Sequence, residues 1–162
     1  MKKIGKILHK AVKIGDKDKV KALINTGVDV NTKDKSGFTP LFHAVTLDKN
    51  LREIVTLLIQ NGANIIAKNK KYGLTPLLYA SFAGYDESVE LLIKNGANIC
   101  DRDISEGTPL HLASNSKTAE VLIQNGASMK AKDYYEFTPF QKAVNNGNVE
   151  LVKTFIKHGA DV

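Results

Sequence analysis

Apolar residues recur along the chain in short bursts at helical spacing, separated by polar, turn-rich stretches. In Glu87-Ser-Val-Glu-Leu-Leu-Ile-Lys94, Leu92 and Ile93 follow Val89 by three and four residues, the period of one helix face. Just ahead, Thr75-Pro-Leu-Leu-Tyr-Ala-Ser-Phe-Ala-Gly84 reads as a shorter helix. Its Thr offers an oxygen to an orphan N–H, its Pro suits the first helical position, and its Gly ends the run. The second helix closes at Asn95-Gly96. Asn-Gly between strands would signal a hairpin turn; after a helical pattern the glycine reads as a left-handed helix cap. The polar segment Asn98–Glu106 then suits a projecting β-hairpin loop. The predicted unit is helix, turn, helix, hairpin.

This unit repeats. Thr-Pro occurs at Thr39, Thr75, Thr108 and Thr138, spaced by 36, 33 and 30 residues. A second marker runs in step: Gly27-Val-Asp, Gly62-Ala-Asn, Gly96-Ala-Asn, Gly126-Ala-Ser and Gly159-Ala-Asp. Each such Gly precedes the next Thr-Pro by 12 or 13 residues, whereas Thr to Gly varies from 18 to 23. Length is therefore absorbed between the paired helices: two extra residues within Thr46–Asn50, three lost around Asn115–Lys117. No single unit can bury its apolar face alone, so the units must stack into a solenoid.

Thr108-Pro-Leu-His-Leu-Ala113, Glu53-Ile-Val-Thr-Leu-Leu-Ile59 and Gly159-Ala-Asp-Val162 resemble the ankyrin repeat, and the resemblance covers essentially the whole chain. It implies an all-α solenoid with short β-hairpin loops: one domain over 1–162, with repeats at about 1–33, 34–68, 69–101, 102–132 and 133–162. It also implies that His9 and His111, which occupy the family's His position, bond into the neighbouring hairpin. Phe42, Leu78 and Gln141 replace that His elsewhere, so the tie is expected to be missing there. Glu106 and Glu136 replace the usual hairpin glycine; Gly107 is expected to compensate beside Glu106, and the Glu136 hairpin to be distorted. At the start, Lys6-Ile7 stands for Thr-Pro, and Lys10 and Lys19 give the outer face the polarity of a terminal cap. The last unit has no such polar face, which leads to the expectation of further sequence beyond Val162.

Net charge is +6, and all of the excess lies in residues 1–33, which hold nine Lys against Asp16, Asp18 and Asp29. The remainder balances at 14 basic and 14 acidic residues. Only Arg52 and Arg102 are arginines, against 21 lysines. Arginine is the side chain that reads phosphates and base edges bidentately, so the balance argues against a nucleic-acid reader. The lysines instead suit solvation of the solenoid's end. No apolar run approaches the roughly 20 residues a bilayer needs, so no transmembrane segment is expected. With Cys100 as the sole cysteine and no glycosylation sequon, a reducing, cytoplasmic setting fits.

No chemical constellation stands out. His9, His43, His111 and His158 fall in separate units and none pairs with another ligand type at helical spacing, so no metal site is assigned. Cys100 is expected to be a small, partly buried residue. Glu53, Glu87 and Glu150 recur at one structural place, as helix-start dipole partners do. No catalytic residue and no cofactor is assigned.

What remains is surface. In the family this chain resembles, hairpin tips and first helices line a concave face that holds partner proteins. The tips offer Lys35 and Phe38; then Lys70, Lys71, Tyr72 and Leu74; Ile104; and Tyr134, Tyr135 and Phe137. Phe82 and Asn145 add from the inner helix ends. Aromatics flanked by lysines suit the anchors of an interface with a partly acidic protein. Phe38 and Phe137, just before the Thr, equally suit packing between adjacent hairpins. The function expected is a monomeric, non-catalytic protein-binding scaffold. The alternatives are a basic-surface binder of nucleic acid or anionic membrane, and the targeting module of a larger enzyme. Lys-, Asn- and Ile-rich usage resembles that of AT-rich genomes, including intracellular bacteria and large DNA viruses. Ankyrin proteins there act on host proteins, which would make a host protein the partner and the host cytosol the location.

Overall fold

A computed structural model describes residues 2–47 and 51–161. Residues 48–50, within the turn expected to hold two extra residues, and Val162 lie outside the described residues. The described residues form ten helices in five successive pairs: α1 (Lys2–Lys13) with α2 (Lys17–Asn25), α3 (Pro40–Ala44) with α4 (Leu51–Gln60), α5 (Pro76–Ala83) with α6 (Asp86–Lys94), α7 (Pro109–Leu112) with α8 (Ser116–Gln124), and α9 (Pro139–Asn145) with α10 (Val149–Lys157). First helices stack in the order α1, α3, α5, α7, α9; second helices stack α2 on α4 and α6 on α8 on α10. The three-residue loss falls on α7, which has four residues, and Asn115 caps α8 by accepting from Thr118 N–H at 2.8 Å.

The helix boundaries follow from the repeated markers. Pro opens α3, α5, α7 and α9. Thr75 accepts from Leu78 N–H, while Thr138 and Gln141 cap one another reciprocally, at 3.3 Å and 3.0 Å. Thr39 departs from this pattern: its hydroxyl is buried without a hydrogen-bond partner, and α3 relies on Pro40 alone. At the far ends of the second helices, Gly62, Gly96 and Gly126 are left-handed, with φ of 85°, 88° and 91°. Each permits the next N–H (Ala63, Ala97, Ala127) to reach back to the carbonyl of Leu58, Leu92 or Leu122. The preceding Asn61, Asn95 and Asn125 add an amide bond at 2.8 Å to the last turn.

The core falls into two large clusters and a smaller third. One apolar cluster runs from Leu8 and Val12 to Leu58 and takes in Leu91 of α6; the other runs from Val45 through Leu77, Leu92 and Leu122 to Phe155. The seam between the second and third pairs is crossed by Ser88 Oγ–H donating to Val45 O at 2.6 Å and by the exposed Arg52–Glu87 pair at 3.0 Å. On the hairpin side, Phe42, Leu74 and Leu78 form a third cluster with Phe38, Tyr79 and Leu112.

Between the pairs, no strand is present among the described residues; the expected β-hairpins are tight turns whose ends meet without a ladder. Each is organised by a side-chain oxygen accepting two backbone N–H groups: Asp34 from Ser36 and Phe38, Asn69 from Tyr72 and Leu74, Asp103 from Ser105 and Gly107, Asp133 from Tyr135 and Phe137, all at 2.8–3.1 Å. Adjacent turns are tied together as well. Lys33 donates to Lys68 O, Lys68 to Arg102 O and Arg102 to Lys132 O.

Glu106 and Glu136 depart from expectation. Both adopt the left-handed conformation of the glycines they replace, with φ of 59° and 64°, beside 82° at Gly37 and 64° at Gly73. The turn bonds survive, so these hairpins are not distorted, and Gly107 does not take over the left-handed position. The cost falls on the residue itself, about 1–2 kcal/mol for a side chain held in this region. Among the described residues Glu136 pairs with Lys132 across an exposed surface, which offsets little. Replacing Glu136→Gly should therefore raise stability by about 0.5–1 kcal/mol, after allowing for glycine's greater unfolded-state entropy. Urea unfolding measures this; an unchanged or lowered midpoint would contradict the strain assignment.

His9 and His111 make the ties the family resemblance implies, with Nε2 at 2.9 Å from Thr32 O and from Phe137 O. At His111, Nδ1 also accepts from Thr108 N–H at 3.2 Å. Burial lowers the pKa of His111 below its ordinary 6.5, although its bond to Phe137 O pulls the other way. The unfolded chain then binds a proton more readily than the fold does. Stability from this group is complete above pH 6.5 and is lost as pH falls through the folded-state value. Wild type should unfold at lower urea at pH 5.5 than at pH 7.5. His111→Gln should lose about 1 kcal/mol at pH 7.5 and show a shallower pH dependence; an identical slope in both proteins would refute the assignment.

Candidate functional site

The face made by turns and first helices carries the exposed aromatics. Phe38, Tyr72, Leu74 and Phe82 come together around one cleft of about 410 Å³, joined by Asn69, Tyr79, Asp103 and Leu112. Their positions follow from the local fold. Asn69 fixes the turn that presents Tyr72 and Leu74, and left-handed Gly84 ends α5 just beyond Phe82. Tyr72 is 48% exposed and Phe82 60% exposed, so both are open to a partner. Lys71 Nζ lies 4.7 Å from the centre of the Tyr72 ring. Leu74 is buried at 8% exposure and forms the floor; it belongs to the core and not to the accessible surface. Phe38 is half-buried, its ring tilted against those of Phe42 on α3 at 5.0 Å and Tyr79 on α5 at 5.7 Å.

The other expected contact residues do not line this cleft. Tyr134 and Tyr135 form an edge-on pair at 5.4 Å, 72% and 68% exposed, on the turn after α8. Ile104 is 69% exposed, and its N–H reaches Tyr72 O at 3.3 Å. Phe137 and Asn145 are exposed, as are Lys70 and Lys35, the latter lining a separate recess at the start of the stack. That recess, about 770 Å³, is bordered by Lys6, Lys10, Lys13, Lys33 and Lys35 together with His9.

Several polar residues have defined roles in the fold, some expected from the sequence and some not. His43, left without a role, sits 2.9 Å from Asp34 Oδ2 and edge-on to His9 at 5.4 Å. Burial lowers the pKa of His43 against the pull of Asp34, and burial likewise lowers that of His9 against its bond to Thr32 O. Asp34 stays below its ordinary carboxylate value: burial opposes this, but His43 and the N–H groups of Phe38 and Ser36 outweigh it. Glu87 pairs with Arg52 and Glu150 with Lys153 in the first turns of their helices, where carboxylates face the positive helix end. His158 caps α10 through Nδ1, 2.9 Å from Thr154 O. Cys100 is exposed, contrary to expectation, because it lies on the outside of an Asn98-nucleated turn that takes its N–H. The turn-organising Asp34, Asn69, Asp103 and Asp133 were missed altogether. They recur five or six residues ahead of each Thr, a periodic signal that was available.

No helix of the described residues is long and apolar enough to cross a membrane. A family model described as ankyrin repeats (3 copies) matches residues 8–103 and 100–162. The chain is 39% identical over 71 residues to the putative ankyrin repeat protein FPV233 of Fowlpox virus (strain NVSL), covering 44% of this chain and 14% of that protein. It is 39% identical over 79 residues to the 2-5A-dependent ribonuclease of Homo sapiens, covering 48% of this chain and 10% of the relative. With the Neurogenic locus Notch protein of Drosophila melanogaster it shares 32% identity over 83 residues, 51% of this chain and 3% of the relative. The matches thus span a small fraction of each relative's length, and the ribonuclease is matched through repeats alone. Ankyrin repeats are in general protein-interaction modules and the repeat domain is typically non-catalytic. Family model, helix-pair architecture and the two histidine ties agree: the chain belongs to the ankyrin-repeat family.

Proposed function

We propose that the chain is a non-catalytic scaffold that binds another protein on the face formed by its turns and first helices. The observation that carries this reading is the aromatic cleft of Phe38, Tyr72, Tyr79 and Phe82, open to solvent over a fixed floor of Leu74. Rigid aromatic side chains around a preformed recess lose little entropy on binding and bury large areas, which suits an interface centre. Lys70 and Lys71 on the same turn add positive charge at its edge, which fits a partner segment of apolar and acidic character. Tyr134, Tyr135 and Phe137 extend the contact along the next turns, with Lys35, Ile104 and Asn145 at its margins. The partner reads as a host protein in the host cytosol if the chain is an effector, and the chain as monomeric.

Affinity capture from cytosol separates the parts of this reading. Because Tyr72 and Phe82 are exposed, a Tyr72→Ala/Phe82→Ala variant should keep its helical circular dichroism yet lose the retained protein. Affinity for the purified partner should drop by about 30-fold or more, the scale of losing about 2 kcal/mol of anchor contacts. A Tyr134→Ala/Tyr135→Ala variant should weaken it less. Full retention by the first variant would rule out the cleft as the interface centre.

The lysine-bordered recess at α1 favours a second reading, capture of an anionic ligand, membrane or nucleic acid. Such a complex should weaken steeply with salt, roughly tenfold for a few neutralised phosphates between low and moderate ionic strength. A complex insensitive to salt and to Lys6→Gln/Lys10→Gln would exclude that reading. The small share of each relative covered is also compatible with a larger protein in which this chain serves as the targeting module.

A further inference from the structure

His9, Asp34 and His43 arise from α1, the turn after α2, and α3, yet stacking brings a ligand-capable atom of each within 4.8 Å of the others. The two family-type histidines, His9 and His111, differ in one respect. At His111 both ring nitrogens are used: Nε2 lies 2.9 Å from Phe137 O, and Nδ1 meets Thr108 N–H and its hydroxyl. His9 reproduces the first bond, to Thr32 O. It lacks the second, because Lys6 stands where Thr108 stands for His111. His9 Nδ1 is consequently buried with no hydrogen-bond partner. A carbonyl only accepts, so Nε2 carries the proton and Nδ1 presents a bare lone pair. An imidazole oriented through one N–H to a backbone carbonyl, with its other nitrogen open, has the outer-shell arrangement of a metal-binding histidine.

The other two residues are similarly prepared. Asp34 Oδ1 is held by the N–H groups of Ser36 and Phe38, which leaves Oδ2 directed at His43 Nε2 at 2.9 Å. His43 is braced edge-on against Phe38 at 5.8 Å and against His9 at 5.4 Å. We propose that His9 Nδ1, Asp34 Oδ2 and His43 Nε2 form a binding site for a divalent transition-metal ion of the zinc type, with solvent completing the coordination. Two imidazoles and one carboxylate suit zinc, nickel or copper and are poor ligands for calcium or magnesium. Bonds of roughly 2.0–2.1 Å place tetrahedral ligands about 3.3 Å apart. The Asp34–His43 contact opens slightly to admit the ion, and His9 moves in. As the metal takes His43 Nε2, the proton on that nitrogen is exchanged through solvent for one on Nδ1, so the imidazole binds as the neutral ligand. Lys13 Nζ, 4.0 Å from Asp34 Oδ2, competes for the same oxygen and weakens metal binding. A bound ion ties α1 to α3, reinforcing the terminal helix pair where the Thr-Pro start is missing.

The test is calorimetric titration of the intact chain with zinc chloride at neutral pH, paired with cobalt(II) absorption spectra, which report nitrogen and oxygen ligation directly. The expected result is one zinc per chain, a rise in Tm with zinc but not magnesium, and an affinity at least tenfold weaker in both His43→Ala and Asp34→Asn. His9→Ala also removes the tie to Thr32 O, so its loss of binding counts only if its circular dichroism matches wild type. Lys13→Gln should tighten binding. A Cys100→Ser/His158→Ala variant should leave it unchanged. Failure of the wild type to bind zinc would overturn the proposal, as would equal binding by folded His43→Ala and Asp34→Asn.

Discussion

One interaction is repeated throughout the stack: a short Asp or Asn side chain whose single oxygen gathers two backbone N–H groups at each inter-pair turn. The turn must reverse the chain without a strand ladder, and its N–H groups would otherwise be left unsatisfied next to the core. Burial makes the arrangement costly to lose. Asp133 is 4% exposed and Asn69 5%, so removing either would strand donors away from water. Asp133 also stays ionised below the ordinary carboxylate range. Burial opposes this, but the N–H groups of Phe137 and Tyr135 and nearby Lys142 prevail. With the turns fixed, each Thr-Pro helix start is fixed, and with it the direction of the next first helix.

From this constraint the rest follows in order. Fixed turns set the spacing at which Lys33, Lys68 and Arg102 can reach the next turn's carbonyl. They also bring Tyr72 and Leu74 to the cleft with Phe38 and Tyr79, so the cleft is built from side chains on neighbouring turns and first helices rather than from one element. Its rigidity is inherited from backbone bonds beneath it, which is the kind of support a binding surface needs.

Most of the fold was legible because it is written periodically. Thr-Pro and Gly-Ala recur at fixed intervals, and each has a local physical meaning that survives without tertiary knowledge. The turn-organising residues were also periodic but alternate between Asp and Asn and sit five or six positions before Thr, so one shifted spacing at Asn69 concealed them. Glu106 and Glu136 misled for a different reason. Their intrinsic preference argues against a left-handed conformation, and the turn's hydrogen bonds outweigh it. The grouping of His9, Asp34 and His43 lay beyond sequence reading, since only stacking of α1 on α3 makes residues that far apart into neighbours. For the partner surface, residue type indicated which side chains could serve, but not that Leu74 lies beneath the others.

The division of the apolar core has a consequence for how the stack comes apart. Linear arrays hold together through nearest-neighbour contacts, and their cooperativity is only as strong as the weakest junction. Here that junction lies between the second and third helix pairs, where Leu91 and Val45 each pack into the opposite cluster like crossed fingers. The molecule is therefore a pair of half-stacks joined by these two residues, by the cluster of Phe42, Leu74 and Leu78, and by the Ser88–Val45 and Arg52–Glu87 ties. Tension applied along its axis will be released first at that seam, leaving two folded halves on one chain.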